Sequence, residues 1–163
     1  MSQKIYSWFE DKAFFDALPK RVSSAALVLP THDDKVLIVK ATYKEHWTFP
    51  GGIVDPGETP LDAAMRETHE EVGLDVDRSD IHFVAVLDRL SKFAQSYQFV
   101  FQATPRDMPD HSITMQPSEI EAYKFVTRRQ IKSGDLFYAE SVKRWASGSV
   151  GYIEQKIDMN AKQ

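Results

Sequence analysis

The chain has 163 residues, 42% of them hydrophobic and 27% charged, with a formal net charge of −4. That size fits one domain with its own core, residues 1–163, and the acidic balance argues against a chain-wide footprint for a nucleic-acid polymer. The absence of cysteine excludes disulfides, thiolate zinc sites and cysteine nucleophiles.

Lys4, Glu10, Asp11, Lys12 and Asp16 interrupt the first 21 residues, which therefore lack the apolar stretch of a secretory signal. No apolar run approaches the ~20 residues of a membrane span. The expectation is a cytoplasmic protein. Ile5, Trp8, Phe9, Ala13 and Phe15 are spaced for a short N-terminal helix over 4–18, ended by Pro19. Ser24–Leu29 and Lys35–Ala41 are apolar and β-branched, and Thr31-His32-Asp33-Asp34 between them has turn chemistry, so they predict a hairpin. Trp47-Thr48-Phe49 is a short extended piece stopped by Pro50-Gly51-Gly52, and Asp55-Pro56-Gly57 is a further turn.

Residues 60–72 predict a helix with clear punctuation. Thr59 is the N-cap, Pro60 sits at the first helical position, Asp62 is in a capping-box place, and Gly73 follows as the C′ residue. Leu61, Ala64, Met65, Thr68 and Val72 form its apolar face. Ile81–Leu90, Tyr97–Thr104 and Glu119–Val126 read as strands, 105–118 as a proline-bearing loop, and 137–146 as another helix. The tail after Ser147 is polar and is expected to be loose. Strands flanked by two or three helices indicate an α/β layered domain with its core over about 20–146.

The charge is concentrated. Residues 52–74 hold Asp55, Glu58, Asp62, Glu67, Glu70 and Glu71 against Arg66 alone, while 124–144 lean basic and read as a solvated helix face. On the 60–72 helix Glu67, Glu70 and Glu71 fall at i, i+3 and i+4, and so share a face. Three carboxylates there repel one another unless a cation sits among them. Oxygen-only ligands suit Mg2+ or Mn2+, and Mg2+ commonly completes its shell with substrate phosphates. Arg66 stands four residues before Glu70 and can hold a carboxylate in place. Glu58 precedes the helix and can fold back onto Arg66. His46 and His69 are poor candidates for such a hard cation.

The run Gly52-x5-Glu58-x7-Arg66-Glu67-Thr68-x-Glu70-Glu71-x-Gly73-Leu74 resembles the signature box of the Nudix (MutT-like) hydrolase family. Thr68 stands where an aliphatic residue is usual, and Asp55 where many members carry Glu. The resemblance implies an α/β/α sandwich with a mixed sheet. It implies Mg2+- or Mn2+-dependent hydrolysis of a nucleoside diphosphate linked to another moiety, with water attacking phosphorus in line. It also implies site roles: Glu67, Glu70 and Glu71 as metal ligands, the Gly51 or Gly52 carbonyl as a further one, Arg66 orienting the carboxylates and Glu58 locking Arg66. Glu119 and Glu121 sit where the family often supplies an extra ligand or base. The general base stays open among these glutamates. The alternative is a catalytically silent nucleotide-binding or sensor module, against which stands the full set of box glutamates. For the small-molecule substrate, Trp47, Phe49 and Tyr43 are candidates to stack a base, and Arg89, Lys92 and Lys44 to meet phosphates, each against a plainer structural role. Trp8, Phe9, Phe14 and Phe15 leave open a homodimer or packing onto the same domain.

Overall fold

The computed structural model describes residues 12–91 and 94–156. Elements follow as α1 (Lys12–Ala17), β1 (Val22–Val28), β2 (Lys35–Ala41), β3 (Gly51–Ile53), α2 (Pro60–Val72), β4 (Ile81–Leu90), β5 (Gln95–Ala103), β6 (Ile120–Thr127), α3 (Arg128–Ser133), α4 (Glu140–Ala146) and β7 (Gly151–Lys156). Most of the expected N-terminal helix, with Trp8 and Phe9, lies outside the described residues, as does Lys92.

Two sheets carry the strands: a five-stranded one in the order β3-β1-β5-β4-β7, and the pair β2-β6. The larger sheet is mixed. β1 runs parallel to β5, and β4 parallel to β7, while β1–β3 and β4–β5 are antiparallel. Two apolar clusters lie on its faces. Ala25, Leu27, Leu37, Val39, Ala64 and Val72 pack together on the α2 side. Ala26, Val28, Leu87, Val100, Tyr138 and Trp145 pack on the α3–α4 side. Helices on both faces of a mixed sheet make the α/β/α sandwich.

The helix punctuation acts as the sequence predicts. Thr59 accepts from the Asp62 N–H, and the Gly73 N–H closes on His69 O at 2.9 Å. The unusual Thr68 is fully buried, and its hydroxyl donates to Ala64 O at 2.7 Å. Its polar atom is thus satisfied within the helix, which leaves the methyl free to pack.

Two expectations need correction. β1 and β2 pair only at their turn, through Pro30 and Val36, and then part into different sheets. Residues 47–50 enter between them: Pro50 O accepts from Leu27 N–H at 2.9 Å, and Thr48 exchanges bonds of 2.8 and 2.9 Å with Val39. The backbone groups of both strands are satisfied by this insertion rather than by each other. Within the tail after Ser147, Gly151–Lys156 form β7, whose exposed Tyr152, Glu154 and Lys156 alternate with half-buried Gly151, Ile153 and Gln155, and the remainder, 157–163, lies outside the described residues. An edge strand with one wet face reads as polar and so escapes composition-based detection.

Candidate active site

β3 crosses over α2 at Glu67 and Glu71, in the C-terminal half of the helix. Gly51 and Gly52 make this crossing sterically feasible. A Cβ on Gly51 would meet Ala25 O at 2.1 Å, and one on Gly52 would meet the Glu67 carboxylate at 2.3 Å. Glycine is the side chain that fits where backbone and carboxylate approach so closely. The Gly51 N–H donates to Glu71 Oε2 at 2.9 Å.

Arg66 organises the acidic face. Its Nε and Nη2 donate to the two Glu58 oxygens at 2.9 and 3.1 Å, a bidentate pair. Nη1 bridges Glu67 and Glu70, at 2.9 Å to each, and Nη2 also reaches Ile53 O at 3.1 Å. One guanidinium thereby ties the preceding loop, β3 and two helix carboxylates into a single arrangement. The pairing holds the Glu58 carboxyl below its ordinary range, chiefly through the Arg66 hydrogen bond.

Glu67 and Glu71 behave differently. Glu71 is 5% exposed, and burial pushes its carboxyl up to about 7. The Gly51 N–H and Lys44 offset only part of that, while Glu67 and Glu119 add to it. Glu67 is also raised, again mainly by burial, with Arg66 opposing. A buried Glu71 with little compensating charge, beside a Glu67 whose ion pair with Arg66 does not outweigh its burial, forms a site that a cation would relieve.

Glu67, Glu71 and Glu119 line one cavity of about 700 Å³, together with Gly51 and Gly52. Glu70 is turned outward onto Arg66, with its side chain 46% exposed. Glu121 lies away from the cavity and pairs with Lys40 at 3.1 Å. Of the two residues expected as an extra ligand or base, the fold brings only Glu119 to the site. Among the described residues no three acidic or histidine side chains are already drawn together around one point. The donors still fit a hard divalent cation: they are oxygens, one of them the buried Glu71 carboxylate and another the half-buried Glu67, and Lys44 is the cation acting on Glu71.

The aromatic candidates part company. Phe49 is fully buried and meets Trp145 edge-on at 5.6 Å between centroids. Trp47 is 8% exposed, its backbone bonded to Phe137 and Ala139. Both belong to the core on the α3–α4 side, so neither offers a free face for stacking. Tyr43 lines the cavity and is exposed. Arg89 lines it too, half-buried rather than fully solvated, and it donates to Gln98 Oε1. Gln98, Ser24, Thr48 and His46 also line the cavity, and the sequence reading did not assign them to it. Arg89 and Gln98 share the inward phases of Leu87 and Val100. A polar side chain at a core-facing strand position was the available signal.

The family model described as "NUDIX domain" matches residues 19–145. The chain is 32% identical over 134 residues to an RNA pyrophosphohydrolase of Legionella pneumophila (strain Corby), covering 82% of this chain and 73% of that one. Among solved structures it resembles a C. elegans Ap4A hydrolase binary complex, with 26% identity, a TM-score of 0.60, and 77% and 96% of the two chains covered. It also resembles a MutT Nudix hydrolase from Burkholderia pseudomallei, with a TM-score of 0.65, 18% identity, and 80% and 98% covered. The two-sheet frame, the loop–helix seat of Glu58, Arg66, Glu67 and Glu71, and the match across residues 19–145 lead to one conclusion: this chain belongs to the Nudix family.

Proposed function

We propose that the protein is a Mg2+-dependent hydrolase of a phosphoanhydride bond in a nucleoside diphosphate linked to another moiety. The observation that carries this reading is the buried Glu71, bound to the Gly51 N–H beside Glu67 in the wall of an open cavity. Nudix hydrolases generally need a divalent metal. Here Glu67, Glu71 and the Gly52 carbonyl would hold it, with Glu70 released from Arg66 and Glu119 as further donors. The bound ion supplies Lewis-acid polarisation and neutralises phosphate charge.

The chain's own residues do the rest. Arg66 fixes the rotamers of Glu67 and Glu70, and Glu58 fixes Arg66. Glu67, preset in this way, needs no reorganisation when substrate arrives. Glutamates lining the cavity accept the proton from the attacking water, a contribution of about 10²–10⁴ in rate. Lys44 and Arg89 lie in the same cavity and attract the anionic substrate.

The test is a hydrolysis panel with Mg2+. It includes ADP-ribose, nucleotide sugars, nucleoside triphosphates, dinucleoside polyphosphates and a 5′-triphosphorylated RNA, the last two suggested by the names of the relatives. Glu67→Gln and Glu71→Gln run beside the wild type. Turnover that needs Mg2+ and falls at least a hundredfold in both variants supports the reading. Wild-type turnover in both variants refutes the site. Tight nucleotide binding with no cleavage identifies a sensor module instead.

A further inference from the structure

Two cations act on the cavity carboxylates, and they are held in different ways. Arg66, which acts on Glu67, has each of its N–H donors engaged, on Glu58, Glu67, Glu70 and Ile53 O. Lys44, which acts on Glu71, is half-buried and lines the same cavity as Glu67, Glu71 and Glu119. Among the described residues it forms no ion pair; its ammonium lies 5.0 Å from the centroid of the Tyr43 ring.

Backbone bonds fix where the Lys44 side chain starts. The Lys44 N–H closes a turn on Ala41 O at 3.1 Å, and within that turn the Thr42 N–H donates to Glu119 O at 2.8 Å. The Glu119 N–H donates to Gln116 O at 3.0 Å, and the Gln116 N–H to Glu71 O at 3.2 Å. One chain of main-chain bonds thereby fastens the turn of Lys44 to Glu119 and to Glu71. Beyond this anchor the side chain is a flexible stem ending in a compact point charge.

An ammonium that favours ionised Glu71 through space opposes any other cation there, and the opposition is reciprocal. A divalent ion carries twice the charge and takes carboxylate oxygens directly into its shell. Lys44 breaks no ion pair in moving aside, so its penalty on the ion is electrostatic. Arg89, in the same cavity, is engaged with Gln98 and acts on His46 instead.

We propose that Lys44 is a resident counter-cation for Glu71 that competes with the divalent ion, and so weakens metal binding until an anionic ligand neutralises it. The inference rests on the metal site of the proposed function and goes beyond it, because it assigns to the protein a built-in brake on that site. Metal and anion then favour each other through Lys44.

The test titrates Mg2+ into the full chain by calorimetry at pH 8, without substrate, for wild type, Lys44→Gln and Lys44→Arg. Lys44→Gln binds Mg2+ more tightly than wild type by roughly threefold or more. Lys44→Arg keeps the charge and stays within about twofold of wild type. Thermal scans show the opposite sign without metal: in chelator Lys44→Gln lowers Tm by about 1–3 °C, and saturating Mg2+ cancels or reverses that difference. The loss in chelator disappears in a Glu71→Gln background. Mg2+ binding that Lys44→Gln leaves unchanged or weakens overturns the proposal. An equal Tm loss in chelator and in Mg2+, or one that persists in the Glu71→Gln background, also overturns it and marks Lys44 as a packing residue. In the hydrolysis panel Lys44→Gln needs less Mg2+ for half-maximal rate and has a higher KM; wild-type values for both overturn the part played by the anion. Mg2+ binding by none of the three proteins refutes the metal site itself, and the competition with it, so the two failures are distinguishable.

Discussion

Glu71→Gln should make the metal-free protein more stable while disabling it. Glu71 is 5% exposed, and its carboxyl is shifted from 4.5 to about 7, with burial the largest cause. The native state therefore holds this proton more tightly than the unfolded chain does. Stability contributed by the protonated group is fully present below pH 4.5 and is lost as pH rises through 7. At ~1.4 kcal/mol per unit, ionised Glu71 lowers metal-free stability by about 3 kcal/mol above pH 8. Gln keeps an oxygen for the Gly51 N–H and carries no charge. In chelator at pH 8, Glu71→Gln should gain about 2–3 kcal/mol, or roughly 4–12 °C in Tm for a chain of this size. At pH 5, where wild-type Glu71 is protonated, the gain should shrink below about 1 kcal/mol. Urea denaturation at both pH values reads this directly. A variant less stable than wild type at pH 8, or an equal difference at both pH values, refutes the claim that a buried charge without a full partner sits there. Activity in the same variant should fall at least a hundredfold.

Metal-free wild type should be most stable near about pH 5. Below that, the lowered carboxyls of Asp33, Glu58, Asp62 and Asp77 lose their stabilisation as they protonate; above it, Glu67 and Glu71 ionise at a cost. Saturating Mg2+ should remove the alkaline decline, with ~1–3 kcal/mol gained at pH 8 and little at pH 5, as thermal scans at each pH will show. Gly52→Ala places a methyl 2.3 Å from the Glu67 carboxylate; it should fold with near-native circular dichroism yet lose at least tenfold in kcat. Arg66→Lys removes the bidentate hold on Glu58 and the bridge to Glu67 and Glu70. It should lower stability by about 1–3 kcal/mol in denaturant titration and kcat by at least tenfold. Wild-type kcat in either variant counts against a preset carboxylate face.

The helix α2 was almost wholly legible, because its information is local. Thr59, Pro60, Asp62 and Gly73 mark its ends, and the i, i+3, i+4 spacing places its glutamates. What stayed hidden depends on distant strands. Nothing near Val28 or Lys35 announces that residues 47–50 will divide the expected hairpin. Trp47 and Phe49 look like ligand-facing aromatics until Tyr138, Val142 and Trp145 close over them. Glu119 and Glu121 are two residues apart, and only strand pairing decides that one enters the cavity and the other meets Lys40. Arg89 looks solvated in isolation, and its partial burial becomes visible only once β4 is flanked by β5 and β7.

The insertion of residues 47–50 between two strands also shapes how such a protein can diversify. Residues 42–46 run between buried Ala41 at the end of β2 and buried Trp47, with the Thr42 N–H tied to Glu119 O at 2.8 Å. This short span carries Tyr43, Lys44 and His46 into the cavity, while the glutamates come from a helix packed on the other sheet. No residue of 42–46 belongs to either apolar cluster or to the grip of Arg66 on the carboxylates, so side chains here can change without touching them. On the proposed function, the side chains that would meet the ligand beyond the metal sit on a segment whose packing is separate from that of the helix carrying Glu67 and Glu71.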